Sequence, residues 1–282
     1  MALIESILAR PYWRQKLWAW WYPFFTRRVR AQGIDFLNYA FETNPPLRIP
    51  LAPEDERNRP NIQLYHFVAS HASLSGKKIL EVSSGHGGGA SYLTRTFHPQ
   101  QYIALDLNAE AVAYSQKKHV LPNLKFQQGD AMALPFADET FDVVINVEAS
   151  HCYPDFARFL REVSRVLKPE GCFLYADLRY ASGESEWIED LFHAPLMRVE
   201  RMRLINPEVV RGMEFNTPRY RKMIMESFPK FLHSLALDFA GVKDSRLYCD
   251  AVSGEMTYRF LKLNKLARFE DNKSSIGITS HR

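Results

Sequence analysis

Between residues 77 and 178 short apolar runs alternate with amphipathic stretches. KKILEVS, QYIALDL, LKFQQGD, FDVVINVEA and CFLYADL have strand length and are rich in branched and aromatic side chains. Between them, GGASYLTRTF, NAEAVAYSQKKH and FARFLREVSRVL read as helices, the last strongly amphipathic. Asn108 is placed to cap the second of these helices and Asp155 the third, which PEG then stops. Upstream, NIQLYHFVASHASL (61–74) reads as another helix. Strands alternating with helices of this length predict an α/β fold with a doubly wound, mostly parallel sheet.

The flanks break this rhythm. Residues 1–60 read as an aromatic helical flap and its connector: 1–45 are aromatic and amphipathic, with Trp13, Trp18, Trp20, Trp21, Tyr22, Phe24 and Phe25 close together, and the proline-rich NPPLRIPLAPEDERNRP (44–60) is the connector. The core runs over 61–180. Residues 181–235, rich in Met and Arg, are expected to be helical and to form a substrate lid, because Met conforms to irregular apolar surfaces. Residues 236–269, with RLYCDAVSGEMTYRFLKLNKL, are expected to supply the last strands of the core sheet. Residues 270–282 read as a polar tail.

Composition narrows the function classes. A net charge of +4 with scattered basic residues is no nucleic-acid signature. Cys152, Cys172 and Cys249 lie far apart without CxxC spacing, so neither a disulfide framework nor a zinc site is expected. No apolar run reaches membrane-span length and no signal-peptide layout opens the chain, which predicts a cytoplasmic protein. The basic residues around 13–25 leave a transient membrane-surface contact, and hence a peripheral location, as an alternative to a flap over an apolar substrate. A homodimer is left open.

The candidate chemistry begins in ILEVSSGHGGGASYL, where an apolar strand turns into a glycine-rich loop and then a helix. The loop lacks the Gly-Lys-Ser/Thr of a P-loop. Gly85 and Gly87 let the backbone approach a ligand closely and take positive φ. Asp106 ends the next strand 21 residues after Gly85, where a carboxylate can accept hydrogen bonds from ribose hydroxyls. These features fit a dinucleotide or S-adenosylmethionine (SAM). Glu81 beside the loop favours SAM, because it would repel a pyrophosphate and attract an ammonium. Asp130, at the end of the third strand, can accept from an adenine amino group. The loop also lacks the spaced GxGxxG of nicotinamide sites.

ILEVSSGHGGGA, ALDLN, GDAMALPFADETFDVV and EVSRVLKPEGCF, in this order, resemble the motifs of the class I SAM-dependent methyltransferases. One departure is Ser83-Ser84, where that family often has Gly or Cys; a small residue is retained. LEVSSGHGGGASYLTRTFHP, INVEASHCYPDFARFL and YADLR, with WYPFFTR and IQLYH upstream, look like the phthiotriolone/phenolphthiotriolone dimycocerosate methyltransferase family. The resemblance implies a seven-stranded Rossmann-like sheet, SAM as cofactor with S-adenosylhomocysteine as product, and O-methylation of a hydroxyl on a large apolar polyketide or lipid-like molecule. The cofactor contacts expected are Tyr65, Glu81, Ser83, Gly85, Gly87, Asp106, Leu107, Asp130, Ala131 and Asn146.

His151 follows the fourth strand, at the end of the sheet where α/β folds bind ligands. A hydroxyl attacks a methyl group well only if its proton is accepted, and histidine can accept one at neutral pH. His151 is therefore the expected general base. Glu148 is the competing base or the group that orients His151. Carbon or nitrogen methylation, which demands less of a base, and nucleotide binding without methyl transfer remain rivals. No metal is expected; Glu148 and Asp177 are the only obvious carboxylates for one.

Overall fold

The computed structural model describes residues 27–28 and 32–267. The aromatic cluster at 13–25 and the tail at 270–282 lie outside the described residues. The core opens with α1 (Arg59–Ala69), β1 (Lys78–Val82), α2 (Gly88–Phe97), β2 (Gln101–Asp106), α3 (Ala109–Lys118) and β3 (Leu124–Gln128). It continues with β4 (Phe141–Val147), α4 (Phe156–Val166), β5 (Leu167–Tyr180), α5 (Ala181–Phe192) and β6 (Met197–Leu204). The chain closes with α6 (Asn206–Ser227), α7 (His233–Phe239), α8 (Arg246–Ser253) and β7 (Met256–Lys265). The strands form one seven-stranded sheet in the order β3-β2-β1-β4-β5-β7-β6, parallel from β3 to β5, with β7 antiparallel to both its neighbours.

Alternation along the strands sends side chains to two separate cores. Ile79 of β1 and Ile145 of β4 join one face; Leu80, Val82 and Val144 join the other. Both faces are covered, which is why these strands read as continuous apolar runs. The stripe of α4 explains its position: Phe159, Leu160, Val163 and Val166 are almost wholly buried on the second face. Each such side chain contributes about 1.5–3 kcal/mol relative to exposure. Asn108 and Asp155 cap α3 and α4 as expected, through Glu110 N and Ala111 N and through Arg158 N.

Two expectations about the flank need correction. Residues 181–235 are not all helical, because residues 197–204 form β6, the edge strand paired with β7. The alternation of MRVERMRL was masked by its many arginines, which point to solvent at an open edge. The described residues of 236–269 hold the end of α7, then α8 and β7: RLYCDAVS folds as α8, capped by Ser245 and stopped by Gly254 in left-handed geometry. A third core, of Ile34, Tyr220, Met223, Ile224, Phe228, Ala236 and Val242, joins α6 and α7 to the segment before α1. None of the described helices is long and apolar enough to cross a membrane.

Candidate active site

The connections from β1 and β4 leave in opposite directions, so the C-terminal ends of these strands flank the crevice where an open α/β sheet takes ligands. On the β1 side the chain turns through Ser83 (φ 62°), Gly85 (φ 56°) and Gly87 (φ 80°) before α2 begins. Gly87 also has no room for a side chain, since a Cβ there would lie 2.6 Å from the Phe126 ring.

Asp106 ties this loop to β2. Its Oδ2 accepts from Gly85 N at 2.7 Å and its Oδ1 from Asn108 N at 2.8 Å. Burial raises its pKa, and these two amides oppose the rise. Leu107, beside it, is 67% exposed, an apolar face beside the crevice. Asp130 closes its own turn, accepting from Met132 N at 2.8 Å, and neighbouring Ala131 is buried.

Glu81 does not present a free carboxylate to the loop. It is buried, and its oxygens accept from Tyr65 Oη at 3.0 Å and Tyr102 Oη at 2.8 Å. Burial pushes its pKa up to about 7, against both phenols. Whereas a free carboxylate was expected to face the loop, Glu81 is held by two phenols and supports Tyr65, whose ring lies against Gly89. A Cβ at Gly89 would sit 2.1 Å from that ring. Gly89→Ala is therefore expected to destabilise the fold by about 1–3 kcal/mol, a fall of about 2–5 °C in Tm. Thermal unfolding checks this, and an unchanged Tm would show that the ring yields freely.

Ser83 Oγ and Tyr153 Oη lie 2.6 Å apart, and Asn146 Nδ2 donates to Tyr153 Oη and to Val82 O, both at 2.9 Å. Asn146 is fully buried, and its Oδ1 has no partner. An orphaned acceptor fixed between the C-terminal ends of the parallel neighbours β1 and β4 fits a ligand with an ammonium donor, such as the amino-acid end of SAM. Tyr153 escaped sequence reasoning; its one signal was a place in the same short loop as His151.

His151 lies in the turn Ser150–Cys152 after β4, its side chain 29% exposed. Its Nδ1 meets Asp177 Oδ1 of β5 at 2.8 Å, and its backbone N donates to Asp177 Oδ2 at 3.1 Å. Burial opposes charge on the imidazole. Cys152 and the Asp177 carboxylate outweigh it and hold the His151 pKa well above its ordinary value. Burial works against ionisation of Asp177 as well, but His151, Arg179 and Ser150 keep its carboxyl well below the usual range. Asp177, and not Glu148, orients the histidine.

Glu148 is turned the other way. Its oxygens accept from Tyr39 N at 3.1 and 3.0 Å, and Oε2 accepts from Tyr258 Oη at 2.8 Å. Burial pushes it up to about 8, with Tyr39 and Tyr258 pulling down. Glu148 thus anchors the segment before α1, which also crosses the glycine loop. There Ile34 O lies 3.0 Å from His86 Nδ1, and Asp35 O accepts from Gly88 N at 3.3 Å. His86 is buried under this segment.

Between the unfolded value near 4.3 and about 8, folded Glu148 keeps a proton that the unfolded chain has lost. Stability therefore falls as pH rises through that window. Glu148→Gln keeps an acceptor for Tyr39 N and Tyr258 Oη. The urea midpoint of this variant is expected to fall less than the wild type's between pH 5 and pH 8. An equal fall in both would place the proton elsewhere. Among the described residues no group of three or more His, Cys, Asp or Glu is arranged to hold a metal ion.

A family model for a methyltransferase domain matches residues 80–175. The chain is 47% identical to the phthiotriol/phenolphthiotriol dimycocerosates methyltransferase of Mycobacterium leprae, over 89% of this chain and 93% of that protein. It is 49% identical to the fatty-acid O-methyltransferase of Mycolicibacterium smegmatis, over 75% of this chain and 77% of that one. In fold it is similar to an O-methyltransferase from a trans-AT PKS multienzyme of Brevibacillus brevis, solved with S-adenosyl-L-homocysteine. The TM-score is 0.63 at 16% identity, over 83% of this chain and 85% of that one. With the seven-stranded sheet and the glycine loop at its switch point, these likenesses place the chain in the family of phthiotriol/phenolphthiotriol dimycocerosates methyltransferases, SAM-dependent enzymes.

Proposed function

We propose that this methyltransferase O-methylates a hydroxyl of a large apolar, lipid-like or polyketide-like molecule, with His151 as general base. The observation that carries this reading is the His151–Asp177 pair, 2.8 Å apart, at the C-terminal ends of β4 and β5. With Nδ1 held by Asp177, Nε2 is the nitrogen left to take a proton. The two relatives differ here. One is named for phthiotriols and the other for fatty acids. A carboxylate arrives without a proton and gains nothing from a base, whereas an alcohol must lose its proton as it attacks. A built histidine–aspartate pair therefore favours the alcohol.

When bound, SAM supplies the methyl group on a sulfonium. Asp106 would hold the ribose hydroxyls, Gly85 and Gly87 would let the amino-acid part come close, and Asn146 Oδ1 would accept from its ammonium. Leu107 and Ala131 offer apolar contacts near the adenine. Asp130, committed to Met132 N, has only its remaining lone pairs for an adenine amino group. Tyr65 and Glu81 act from beneath, by supporting the loop. Much of the acceleration comes from holding the hydroxyl in line. His151 would accept the proton of the attacking hydroxyl at Nε2, while the bound sulfonium would supply the methyl group and leave as the thioether. The segment before α1 and the α6–α7 lid, where Tyr39 and Met213 pack on Gly241, supply an apolar cover.

Methyl transfer from labelled SAM to a long-chain diol and to a fatty acid of equal length tests the assignment. The diol is expected to be methylated, with the transfer depending on His151. Methylation of the acid alone, unchanged in His151→Ala, would overturn it.

A further inference from the structure

Behind Asp177 lies a chain of donors that the reaction itself does not touch. Trp187 Nε1 donates to Tyr175 Oη at 2.9 Å. Tyr175 Oη and Ser150 Oγ are 2.5 Å apart, and Arg179 donates to Ser150 Oγ at 3.0 Å. Ser150 then gives its single proton to Asp177 Oδ2 at 2.6 Å. A carboxylate only accepts, so Ser150's one proton goes to Asp177, which leaves the Tyr175 hydroxyl as the donor in its pair with Ser150; Tyr175 Oη also lies 3.5 Å from Asp177 Oδ2. The Arg179 guanidinium also lies 3.5 Å from Asp177 Oδ2 and is 14% exposed. It sits between two rings, 5.2 Å from the Phe156 centroid and 4.8 Å from that of Trp187, and donates to Leu178 O at 2.7 Å. So elaborate a seat holds one cation against the carboxylate that His151 also uses.

The other titratable groups around the pair are Glu148 from β4, Cys152 and Tyr153 from the turn, Tyr175 from β5, Tyr258 from β7 and Tyr39 from the segment before α1. Tyr175 and Tyr258 are buried and Tyr39 and Tyr153 half-buried, and desolvation holds all four phenols above their ordinary value, so they stay neutral near pH 7. Glu148 is half or more protonated there. Among these described groups, Arg179 is the fixed positive charge.

We infer that Arg179 is a positioning residue that sets how readily His151 takes a proton. It does so by competing with the imidazolium for Asp177 and by holding Ser150 as the donor to the opposite carboxylate oxygen. Without that competition Asp177 would grip the imidazolium harder, and the base form of His151 would be scarcer at neutral pH. This inference rests on His151 being the base only where it concerns rate; its effect on the imidazole stands apart from that.

The test is an NMR titration of histidine-labelled wild type, Arg179→Gln, Arg179→Lys and Ser150→Ala, with the His151 signal assigned by its loss in His151→Gln. A neutral glutamine removes a charge a few ångströms from the pair, so the His151 midpoint is expected to rise by about one pH unit. Arg179→Lys keeps the charge and is expected to leave the midpoint near the wild-type value while slowing turnover, because the fork and the ring stack are lost. Ser150→Ala, which leaves Arg179 in place, is expected to raise the midpoint by a smaller amount. Should Arg179→Gln not fold, the Ser150→Ala shift decides. A midpoint unmoved in folded Arg179→Gln, or in Ser150→Ala, would overturn the inference. The pH–rate profile separates the two claims. If the midpoint moves and the profile follows, both stand. If the midpoint moves and the profile does not, Arg179 tunes the imidazole and His151 is not the base.

Discussion

His151→Ala is expected to lower kcat for methylation of an alcohol about 10²–10⁴-fold, the range a lost general base costs. Its affinity for S-adenosylhomocysteine should stay near that of the wild type, because the glycine loop and Asp106 are untouched. Asp177→Asn should give an intermediate loss, since an amide can still meet Nδ1 but no longer stabilises the imidazolium as it forms. Single-turnover rates with saturating cofactor separate chemistry from binding. A variant that bound the product normally and turned over at the wild-type rate would remove the histidine from the mechanism. The pair also shapes stability. His151 has a raised folded pKa, so its contribution is full below the ordinary histidine value and is lost as pH rises through the raised one. Asp177, depressed, contributes above the ordinary aspartate value and loses that as pH falls through the lower one. Both are at full strength between roughly pH 4 and pH 6.5.

Asp106→Ala is the second large effect. It removes the partner of Gly85 N and of Asn108 N and, on the proposed function, the carboxylate that would hold the ribose. Loss of hydrogen bonds to a charged group, at about 1.5–3 kcal/mol each, predicts a Kd for S-adenosylhomocysteine raised at least about 10-fold and up to roughly 100-fold. Asp106→Asn keeps an acceptor for one of the two amides and should fall between the extremes. Calorimetric titration of the three proteins reads this directly. Equal Kd values would mean that the cofactor is held without the end of β2.

What could be read from the chain was whatever local pattern decides. The apolar runs gave β1 to β5 because parallel strands are buried on both faces, and the caps at Asn108 and Asp155 needed only their own neighbours. The glycine loop and Asp106 were legible for the same reason. The partners inside the site were not. Asp177 meets His151 across 26 positions, and Tyr39 meets Glu148 across 109. Glu81, an acidic residue beside a glycine loop, looked like a ligand for an ammonium. Its carboxylate accepts from Tyr65 and Tyr102, which only tertiary packing brings together. The strand β6 was hidden by its charges, which an open sheet edge favours and a buried strand would exclude. The helix α8 was hidden by aromatic and β-branched residues that suit strands better.

The most direct test is the pH dependence of single-turnover methyl transfer to a long-chain diol, in the wild type and in Asp177→Asn. The rate in the wild type is predicted to rise with pH through one ionisation lying above the ordinary histidine value. In Asp177→Asn that midpoint should move down toward the ordinary value, with a lower plateau. A rate independent of pH in the wild type, or a midpoint that does not move when Asp177 loses its charge, would contradict a base at His151 held by Asp177.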